Sequence, residues 1–554
     1  MRHDFKTLSD LFDHATSRFP RRTASEFVEG GQRYTFAQVK ENCENLSRLL
    51  SSFGISAFDK VAILSENMPN WTVAFFAITT SGRIAVPMLP DLSPNEVENI
   101  LVHSEAKAIF VSARHAAKVS PELRERLRLV IRLDDLSIEK VAPEAYTCDG
   151  RESVPTPGDT AAIIYTSGTT GNAKGVMLSH RNFCANVLSS WHAHHLNQRD
   201  VMLSILPMAH TYEMSIGMLY PFAVGAKVSY LQKLPTPTIL MNALKRVRPT
   251  AMCTVPIIME KLYKTSILPI IRGSRLLRYM RRRVPRLLYL FIGFKLKKTF
   301  GGRLRFYGVG GAKLDTEVET FLKQARFPYA IGYGLTETAP LICNAGPKIT
   351  HIGTTGIAAH GCTIRLDNVD PETGVGEIVV KGPNVMLGYY KDYERTQKVL
   401  SPDGWFHTGD LAKVDDKGRY SICGRLGSVI IGATGENIYP EEIERVINQM
   451  GDVNESLVVR RHGHLVALVQ LNENVLDWNM EGGDKFIKDL DQRRKAILEF
   501  VNSKVSRFSR VQDVEIMKKP FSKTATQKIR RFKYRGFRGD EPNPPSSGDK
   551  KADK

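Results

Sequence analysis

The sequence YTSGTTGNAKG, from Tyr165 to Gly175, decides how this chain is interpreted. It gathers hydroxyl side chains, glycines and one lysine: Thr166, Ser167, Gly168, Thr169, Thr170, Gly171, Lys174 and Gly175. Glycine lets backbone amides approach an anion, hydroxyls donate hydrogen bonds, and lysine adds positive charge. Apolar residues on both sides, at 161–164 and 176–178, predict two buried strands around a phosphate-binding loop. The alternative is an ordinary Gly/Thr-rich hairpin turn, which would not explain why so many anion-binding groups occur in so few positions.

The loop differs from that of the P-loop NTPases, in which Gly-Lys-Ser/Thr leads directly into a helix. Here Lys174 precedes Gly175 and an apolar run. The string YTSGTTGNAKGV resembles instead the phosphate loop of the AMP-forming adenylating enzymes, which include acyl-CoA synthetases, luciferases and peptide-synthetase adenylation domains. Further motifs of that superfamily follow in its order: PMAHTYE (207–213), GVGGAKLD (308–315), GYGLTET (332–338), GEIVVKGPNVMLGYY (376–390), GWFHTGD (404–410), GRLGSVIIGATGENIYPEEIE (424–444) and SKTATQKIRR (522–531).

Length and periodicity predict a multidomain α/β protein, because 554 residues exceed one ordinary core. Helical stretches alternate with short apolar runs from about 8 to 135 and again from 159 to 311, which is typical of parallel sheets. Strand-rich sequence from about 350 to 420 predicts a small barrel or a distorted sheet. With the resemblance, we expect three parts: a large N-terminal adenylating domain (1–425) of two α/β sheet subdomains and a small β-barrel, a small mobile α+β C-terminal domain (426–535) and a disordered polar tail (536–554).

The resemblance also implies a hinge at Gly427, where the family usually carries Asp or Lys. Glycine keeps the backbone freedom of a hinge but loses any charge-based preference for one orientation. The seven cysteines are scattered without zinc or redox spacing, which favours reduced thiols in the cytosol. No signal-type stretch or membrane-length apolar run is apparent, so we expect a cytoplasmic protein.

The net charge of +19 is concentrated in one segment. Between Lys261 and Phe300 the chain has twelve basic residues and no acidic one, and large apolar residues lie among them. This combination favours a helix on an anionic membrane surface, with the protein membrane-associated on the cytoplasmic face. The alternative is a solvated basic helix whose apolar residues pack on the protein body. No nucleic acid partner is expected, because no nucleic-acid-binding motif accompanies these basic residues.

The resemblance implies a two-step reaction that uses ATP, Mg²⁺ and CoA. A carboxylate attacks the α-phosphorus of ATP and releases pyrophosphate, and a thiol then displaces AMP from the acyl-adenylate. Both transition states spread negative charge over oxygens, so positioned cations and N–H donors are expected to dominate catalysis. The hydroxyls, glycines and lysine of the Tyr165–Gly175 loop are the expected ATP ligands.

Glu337, in GYGLTET, is predicted to bind Mg²⁺, because this hard cation takes oxygen ligands. The resemblance suggests Thr166 as a second metal ligand and Thr336 as a donor to the α-phosphate. It implies that Lys528 is the catalytic lysine, which neutralises the α-phosphate and the attacking carboxylate. The family commonly has Gly before this lysine, whereas this chain has Gln527, which predicts a stiffer loop. Without the motifs, Glu337 would be interpreted as a capping residue and Lys528 as solvated charge.

The remaining candidate residues are assigned to the nucleoside, the acyl group and CoA. Asp410 is predicted to accept hydrogen bonds from the ribose hydroxyls, as a carboxylate does well. Tyr333 offers a flat face for stacking on adenine, and the alternative is a core aromatic. The resemblance implies that the backbone of Gly310, Gly311 and Ala312 lines the other side of the base. Arg425 is expected to contact the ribose or the phosphates, and Gly435 to keep a passage open for the pantetheine arm. His210 either borders the acyl pocket or satisfies a core hydrogen bond.

The segment between VPIIMEKLY and GGRLRFYGVGGA resembles the insertion of the long-chain fatty acyl-CoA synthetases. We therefore expect a long-chain fatty acid–CoA ligase whose partners are a fatty acid and CoA. Medium-chain and aromatic acids remain alternatives, as does acyl carrier protein, an acidic acceptor that suits a cationic surface. A non-catalytic anion- or nucleic-acid-binding protein would explain the charge but not the ordered motifs.

Overall fold

The computed structural model describes residues 4–143, 150–167, 173–431, 437–461, 464–472, 475–476, 478, 481, 483–524 and 528–534. The chain divides into two compact units, Met1–Ile422 and Cys423–Lys554. In the part of the chain so described, no helix combines the length and the apolar character needed to cross a bilayer.

The larger unit contains most of the strands and helices. Its strands are β1 (Thr23–Phe27), β2 (Arg33–Thr35), β3 (Lys60–Leu64), β4 (Ile84–Met88), β5 (Ala108–Val111), β6 (Leu129–Arg132), β7 (Ile138–Val141), β8 (Thr160–Ser167), β9 (Ala173–Ser179), β10 (Val201–Ser204), β11 (Lys227–Tyr230), β12 (Ala251–Thr254), β13 (Phe306–Val309), β14 (Tyr329–Gly334), β15 (Leu341–Ala345), β16 (Ile357–Ala358), β17 (Thr363–Asp367), β18 (Gly376–Lys381), β19 (Gly388–Tyr389), β20 (Phe406–Val414) and β21 (Tyr420–Arg425), which continues into the smaller unit.

The helices of the larger unit lie between these strands. They are α1 (Leu8–Arg18), α2 (Phe36–Ser52), α3 (Pro69–Thr79), α4 (Pro94–Ser104), α5 (Pro121–Arg126), α6 (His180–Ala193), α7 (Tyr220–Ala223), α8 (Pro237–Val247), α9 (Pro256–Leu262), α10 (Leu268–Gly273), α11 (Arg275–Arg283), α12 (Pro285–Thr299), α13 (Thr316–Gln324) and α14 (Tyr393–Val399). Wider π-helical turns cover Glu213–Leu219 and Tyr263–Ile267.

Two large mixed sheets confirm the predicted pair of α/β layers. The first has the order β19-β9-β8-β4-β3-β5-β6-β7, and the second has the order β16-β15-β14-β13-β12-β10-β11-β1-β2. The central strands of each are parallel. The sheets do not follow the two sequence stretches one to one, because β1 pairs with the distant β11 and joins the second sheet.

One hydrophobic cluster contains side chains from both large sheets and from the helices α1, α2, α3 and α6. Helix α3 lies inside this cluster: its sequence PNWTVAFFAIT is apolar on every side, and all of its residues are buried. A third sheet, β17-β18-β20-β21, forms where the sequence predicts a small barrel or a distorted sheet. In the described residues its order is open, without a pairing of β17 with β21.

The smaller unit has the predicted α+β composition. Its elements are β22 (Ile430–Ile431), β23 (Asn437–Ile438), α15 (Pro440–Ile447), β24 (Val453–Arg461), β25 (His464–Leu471), α16 (Asp484–Asn502) and β26 (Asp513–Ile516). Strands β24, β25 and β26 form one sheet, and α15 and α16 contribute Ile443, Ile447, Ile497 and Val501 to its core.

Candidate active site

Tyr165 and Gly175 pair with each other across the two strands of a hairpin, which confirms the two predicted flanking strands. Strands β8 and β9 are antiparallel, and Thr166 pairs directly with Lys174. Directly opposite residues project on the same face of a sheet, so these two side chains share one side of the hairpin. A Cβ on Gly175 would lie 2.8 Å from Ile163 Cγ2, so any larger residue there would force neighbouring side chains to move. Gly168, Thr169, Thr170, Gly171 and the side chain of Ser167 lie outside the described residues.

Three side chains from distant parts of the chain meet beside this hairpin. Lys174 Nζ lies 2.6 Å from Glu337 Oε1 and donates to the Tyr389 hydroxyl at 2.9 Å. That hydroxyl in turn donates to Glu337 Oε1 at 2.9 Å. Strand β19 brings Tyr389 here by pairing with β9. We call Lys174, Glu337 and Tyr389 the carboxylate triangle.

Opposing effects determine the charge of Glu337. Burial raises the pKa of its carboxyl, but the Lys174 ammonium and the hydrogen bonds outweigh burial and hold the pKa below the ordinary value. Burial and the neighbouring carboxylate both raise the pKa of Tyr389. Glu337 is therefore an anion and Tyr389 a neutral donor at physiological pH.

Hydrogen bonds fix the turn that holds Glu337, a short 3-10 segment over Thr336–Thr338. The Thr338 hydroxyl donates to the carbonyls of Leu335 and Pro340. Asn186 of α6 donates to the Thr338 carbonyl at 2.9 Å and accepts from the Leu341 amide at 2.8 Å. Thr336 is half-buried beside this buried frame. The carboxylate of Glu337 is thus held in place by its main chain as well as by Lys174.

A second polar pair joins two residues predicted separately. The Tyr333 hydroxyl donates to Asp410 Oδ2 at 2.8 Å, and Asp410 is buried. The turn before Asp410 is held by Glu377, which accepts from the Gly409 amide at 3.0 Å. Gly409 has φ +68°, which favours glycine in that turn. Because its hydroxyl is held by Asp410, the Tyr333 ring has a fixed position.

The Gly310–Gly311 backbone follows strand β13 closely. A Cβ on Gly310 would lie 3.2 Å from the Tyr212 ring, and Gly311 has φ +87°. Ala312 is exposed beside them. His210 is half-buried, and its Nδ1 accepts from the Tyr212 amide at 3.2 Å. The predicted His210 and Gly310 are therefore both neighbours of Tyr212.

Glu213 follows as a fully buried carboxyl at the start of a π-helical turn. Burial raises its pKa to about 8. A Cβ on Gly217 would lie 2.5 Å from its carboxyl carbon, so glycine makes room for this side chain. Glu213 is accordingly a neutral acid at physiological pH.

Sequence reasoning missed Tyr389 and Tyr212 as contributors to these clusters. Both lie inside quoted motifs, at the end of GEIVVKGPNVMLGYY and within PMAHTYE. Their position in a motif was the available signal, because the contacts of Tyr389 span 215 residues to Lys174 and 52 to Glu337.

The smaller unit holds the remaining candidates. Arg425 ends β21, and a Cβ on Gly427 would meet no atom within 4 Å. Lys528 is exposed, and its amide donates to Thr524 Oγ1 at 3.2 Å. Gly435 and Gln527 lie outside the described residues.

The segment that carries Lys528 is attached to the smaller unit by its neighbours. Arg531 forms an ion pair with Glu444 of α15 and lies 3.5 Å from Glu441. Burial raises the pKa of Glu444 to about 7 against the opposing effect of Arg531. On the other side of Lys528, Lys523 lies 2.6 Å from Glu455.

Curated relatives match this chain in sequence, and solved structures match its fold. Long chain acyl-CoA synthetase 7, peroxisomal, of Arabidopsis thaliana is 30% identical over 539 residues, covering 87% of this chain and 75% of that protein. Long-chain-fatty-acid–CoA ligase 1 of Cavia porcellus is 27% identical, covering 96% and 86%.

Among solved structures, O-succinylbenzoate coenzyme A synthetase of Bacillus subtilis in complex with ATP and magnesium ion matches with a TM-score of 0.74 at 22% identity, over 94% of this chain and 98% of that one. ATP-bound MatB of Rhodopseudomonas palustris matches with a TM-score of 0.75 at 22% identity, over 95% and 98%. The sequence profile described as AMP-binding enzyme matches residues 12–390. This chain therefore belongs to the AMP-binding enzyme family.

Proposed function

We propose that this enzyme is a long-chain fatty acid–CoA ligase. It activates a fatty acid with ATP to the acyl-adenylate and then transfers the acyl group to CoA, with release of pyrophosphate and AMP. The carboxylate triangle beside the β8–β9 hairpin is the observation that carries the proposal, because it combines an ordered cation and a buried anion at a phosphate-type loop. The names of the relatives support the choice of acid.

In the first step a carboxylate oxygen of the fatty acid bonds to the α-phosphorus as the bond to the leaving pyrophosphate oxygen breaks. Lys174 is a phosphate ligand in this proposal, and it exchanges its contact with Glu337 for one with the nucleotide. Lys528 neutralises the α-phosphate and the attacking oxygen, while Thr336 donates to the α-phosphate. Positioned cations of this kind stabilise the charge that develops in the transition state.

The residues beside the hairpin fit a magnesium ion. Thr166 Oγ1 is buried, and no described group lies within hydrogen-bond distance of it. A hydroxyl without a partner and the Glu337 carboxylate are both oxygen ligands, which Mg²⁺ prefers. Bound there, Mg²⁺ would neutralise phosphate charge. Tyr389 holds one carboxylate oxygen of Glu337 and so orients the other.

The nucleoside is bound by two groups in this proposal. Asp410 accepts hydrogen bonds from the ribose hydroxyls, and Tyr333, held by Asp410, presents its ring to the adenine. The backbone of Gly310, Gly311 and Ala312 lines the base, and Arg425 contacts the ribose or phosphates.

In the second step the CoA sulfur attacks the acyl carbonyl carbon and the bond to AMP breaks. The loop with Gly435 admits the pantetheine arm, and His210 borders the acyl group. We place the hinge between the two half-reactions at Gly427, with domains at 1–425 and 426–535. A side chain at Gly427 fits sterically, so freedom of rotation and not space is the reason proposed for glycine.

The test is pyrophosphate release from ATP and magnesium with fatty acids from short to long, in the presence of CoA, acyl carrier protein or neither. We expect sustained turnover that peaks at long chains and needs CoA. A peak with short or aromatic acids would replace the long-chain fatty acid as the assigned substrate. Turnover with carrier protein alone would replace CoA as the assigned acceptor. No release with any acid would overturn the proposed substrate class.

A variant pair ties the turnover to the proposed lysine. Lys528→Ala is expected to lower acyl-adenylate formation by about 10²–10³-fold, the effect of removing one transition-state contact. Lys519→Ala removes an exposed lysine of the same unit and serves as the matched control. Equal activity of the two variants would contradict the role of Lys528.

A further inference from the structure

Helices α11 and α12 form a basic and apolar surface that the proposed chemistry does not use. Apolar side chains on it are widely exposed, including Leu276 at 65%, Leu287 at 61%, Phe291 at 54% and Phe294 at 70%. The bases Arg275, Arg278, Arg282, Arg283, Arg286, Lys295 and Lys298 are exposed among them. We call these eleven residues the α11–α12 face.

Helix α12 is apolar on two opposite sides. Its inner side packs on the body through Leu288, Gly293 and Leu296, and a Cβ on Gly293 would lie 2.2 Å from the Ala325 carbonyl oxygen. Its outer side carries Leu287, Phe291 and Phe294, spaced four and three residues apart and so adjacent on a helix. Packing on the body therefore explains only the inner side.

The charge of this surface is almost uncompensated. No acidic residue occurs between Lys261 and Phe300. Across the described residues, Glu317 alone forms an ion pair with a base of α11 or α12, through Arg281 at 2.9 Å. Lys295 Nζ lies 4.6 Å from the centroid of the Phe291 ring, so the cationic and apolar groups are interleaved down to single side chains.

We propose that the α11–α12 face docks on an anionic lipid bilayer, with arginines and lysines at the headgroups and Leu287, Phe291 and Phe294 in the acyl boundary. Two contributions stabilise a helix at such an interface: anionic headgroups attract its basic side chains, and its apolar side chains leave water. A duplex nucleic acid would use the bases but leave these three side chains in water. A second copy of this surface would bring like charges together.

The position of the helices in the chain connects this surface with the candidate site. Helices α9 to α12 lie between strands β12 and β13. Val255, directly after β12, has its Cγ1 3.6 Å from the Cβ position of Gly311, which lies just after β13. If the proposed function holds, the helices inserted between these adjacent strand ends join the candidate site to the bilayer from which a fatty acid partitions. The docking itself does not depend on that function.

The test is co-sedimentation of the full chain with vesicles of phosphatidylcholine alone and of phosphatidylcholine with phosphatidylglycerol, over a series of salt concentrations. We expect binding to the anionic vesicles, weaker binding as salt rises, and little binding to the neutral ones. A protein that stays in the supernatant with anionic vesicles at low salt would overturn the proposal. Because no ATP or fatty acid is present, an inactive enzyme would still bind.

Two double variants separate the two contributions. Arg278→Gln with Arg282→Gln is expected to weaken partitioning by about thirtyfold, since each base near the surface contributes about 1 kcal/mol. Phe291→Ser with Phe294→Ser is expected to weaken it by about tenfold or more and to leave the salt dependence unchanged. All four side chains are exposed, so we expect both variants to fold. Melting temperatures equal to that of the wild type would verify this.

Matched controls carry the same substitutions elsewhere. Arg21→Gln with Arg126→Gln removes two exposed bases outside the face, and Ile349→Ser with Val369→Ser removes two exposed apolar side chains. The controls are expected to bind like the wild type. Equal losses in controls and face variants would overturn the assigned surface, as would face-dependent binding to a DNA duplex without binding to vesicles.

Discussion

Two ion pairs of similar length lie in contrasting surroundings. Lys174 and Glu337 are 2.6 Å apart, with side chains 23% and 9% exposed, while Arg281 and Glu317 are 2.9 Å apart and 35% and 51% exposed. Water screens the second pair and not the first. Burial, more than distance, therefore distinguishes the two ion pairs.

The surroundings differ in balance as well. In the carboxylate triangle one cation, one anion and one hydroxyl are joined to one another by hydrogen bonds. On the α11–α12 face the bases have almost no acidic neighbours, and their excess is free to attract an external anion. The carboxylate triangle has a defined hydrogen-bond geometry. The α11–α12 face has only a defined sign of charge.

The largest expected effect is on catalysis. Glu337→Gln keeps the shape of the side chain but removes its charge and a proposed magnesium ligand, so adenylation should fall by about 10²–10³-fold. The measurement is pyrophosphate release at saturating ATP and magnesium. Glu317→Gln is the matched control on the exposed pair and should retain full activity. A similar loss in both variants would erase the functional distinction between the two pairs.

The next effect is on stability. Lys174→Met leaves the buried Glu337 carboxylate without its cation and should cost about 3 kcal/mol of unfolding free energy. Breaking the exposed pair with Glu317→Gln should cost about 1 kcal/mol or less, because the pair is exposed and the glutamine carbonyl oxygen can still accept from the Tyr263 hydroxyl. Chemical denaturation at pH 7 measures both. Comparable losses would mean that exposure does not distinguish the pairs.

The same pair predicts a pH dependence. The pKa of Glu337 is lower in the folded chain than its ordinary 4.5, so the stabilisation is fully present above about pH 4.5 and is lost as the pH falls through the folded pKa. The difference in unfolding free energy between wild type and Lys174→Met should therefore shrink in acid. A constant difference would show that Glu337 is not the group responsible.

Glu213 extends the comparison to a buried carboxyl without an ion pair among the described residues. Its folded pKa of about 8 lies above the ordinary 4.5, so the unfolded chain releases this proton first and the folded state loses stability as the pH rises between those values. Relative to Glu213→Gln, the wild type should lose about 4 kcal/mol across that window. Parallel pH profiles of the two proteins would refute the protonated form of Glu213.

The sequence predicts these regions to different depths. The β8–β9 hairpin follows from apolar runs on both sides of one loop, because hairpins are local. The Tyr333–Asp410 hydrogen bond joins residues 77 positions apart, and the Tyr389–Lys174 contact joins residues 215 apart, so neither follows from spacing. The motifs locate these residues without their partners. The roles of Lys528 and Gly435 stay predictions.

The α11–α12 face shows a second limit of sequence reasoning. Helix α12 is apolar on both sides, so its pattern cannot distinguish the residues that pack from those that face solvent. The burial of Leu288 and Leu296 and the close approach of Gly293 to Ala325 identify the inner side and leave Leu287 and Phe294 outside. A segment that looks evenly apolar in sequence is thus divided into two sides by its packing in the fold.

The smallest expected effect belongs to this exposed region. Arg278→Gln with Arg282→Gln should change the unfolding free energy by no more than about 0.5 kcal/mol, because surface charges without partners contribute little to folding. Pyrophosphate release with a short, water-soluble acid should also stay at the wild-type level, since neither arginine touches the site. A loss above about 1 kcal/mol would mean that these arginines stabilise the fold, and the contrast with Lys174 would then be one of degree. Unchanged stability together with weakened vesicle binding would instead show that the two regions differ in role: the carboxylate triangle stabilises the fold, and the α11–α12 face binds an external surface.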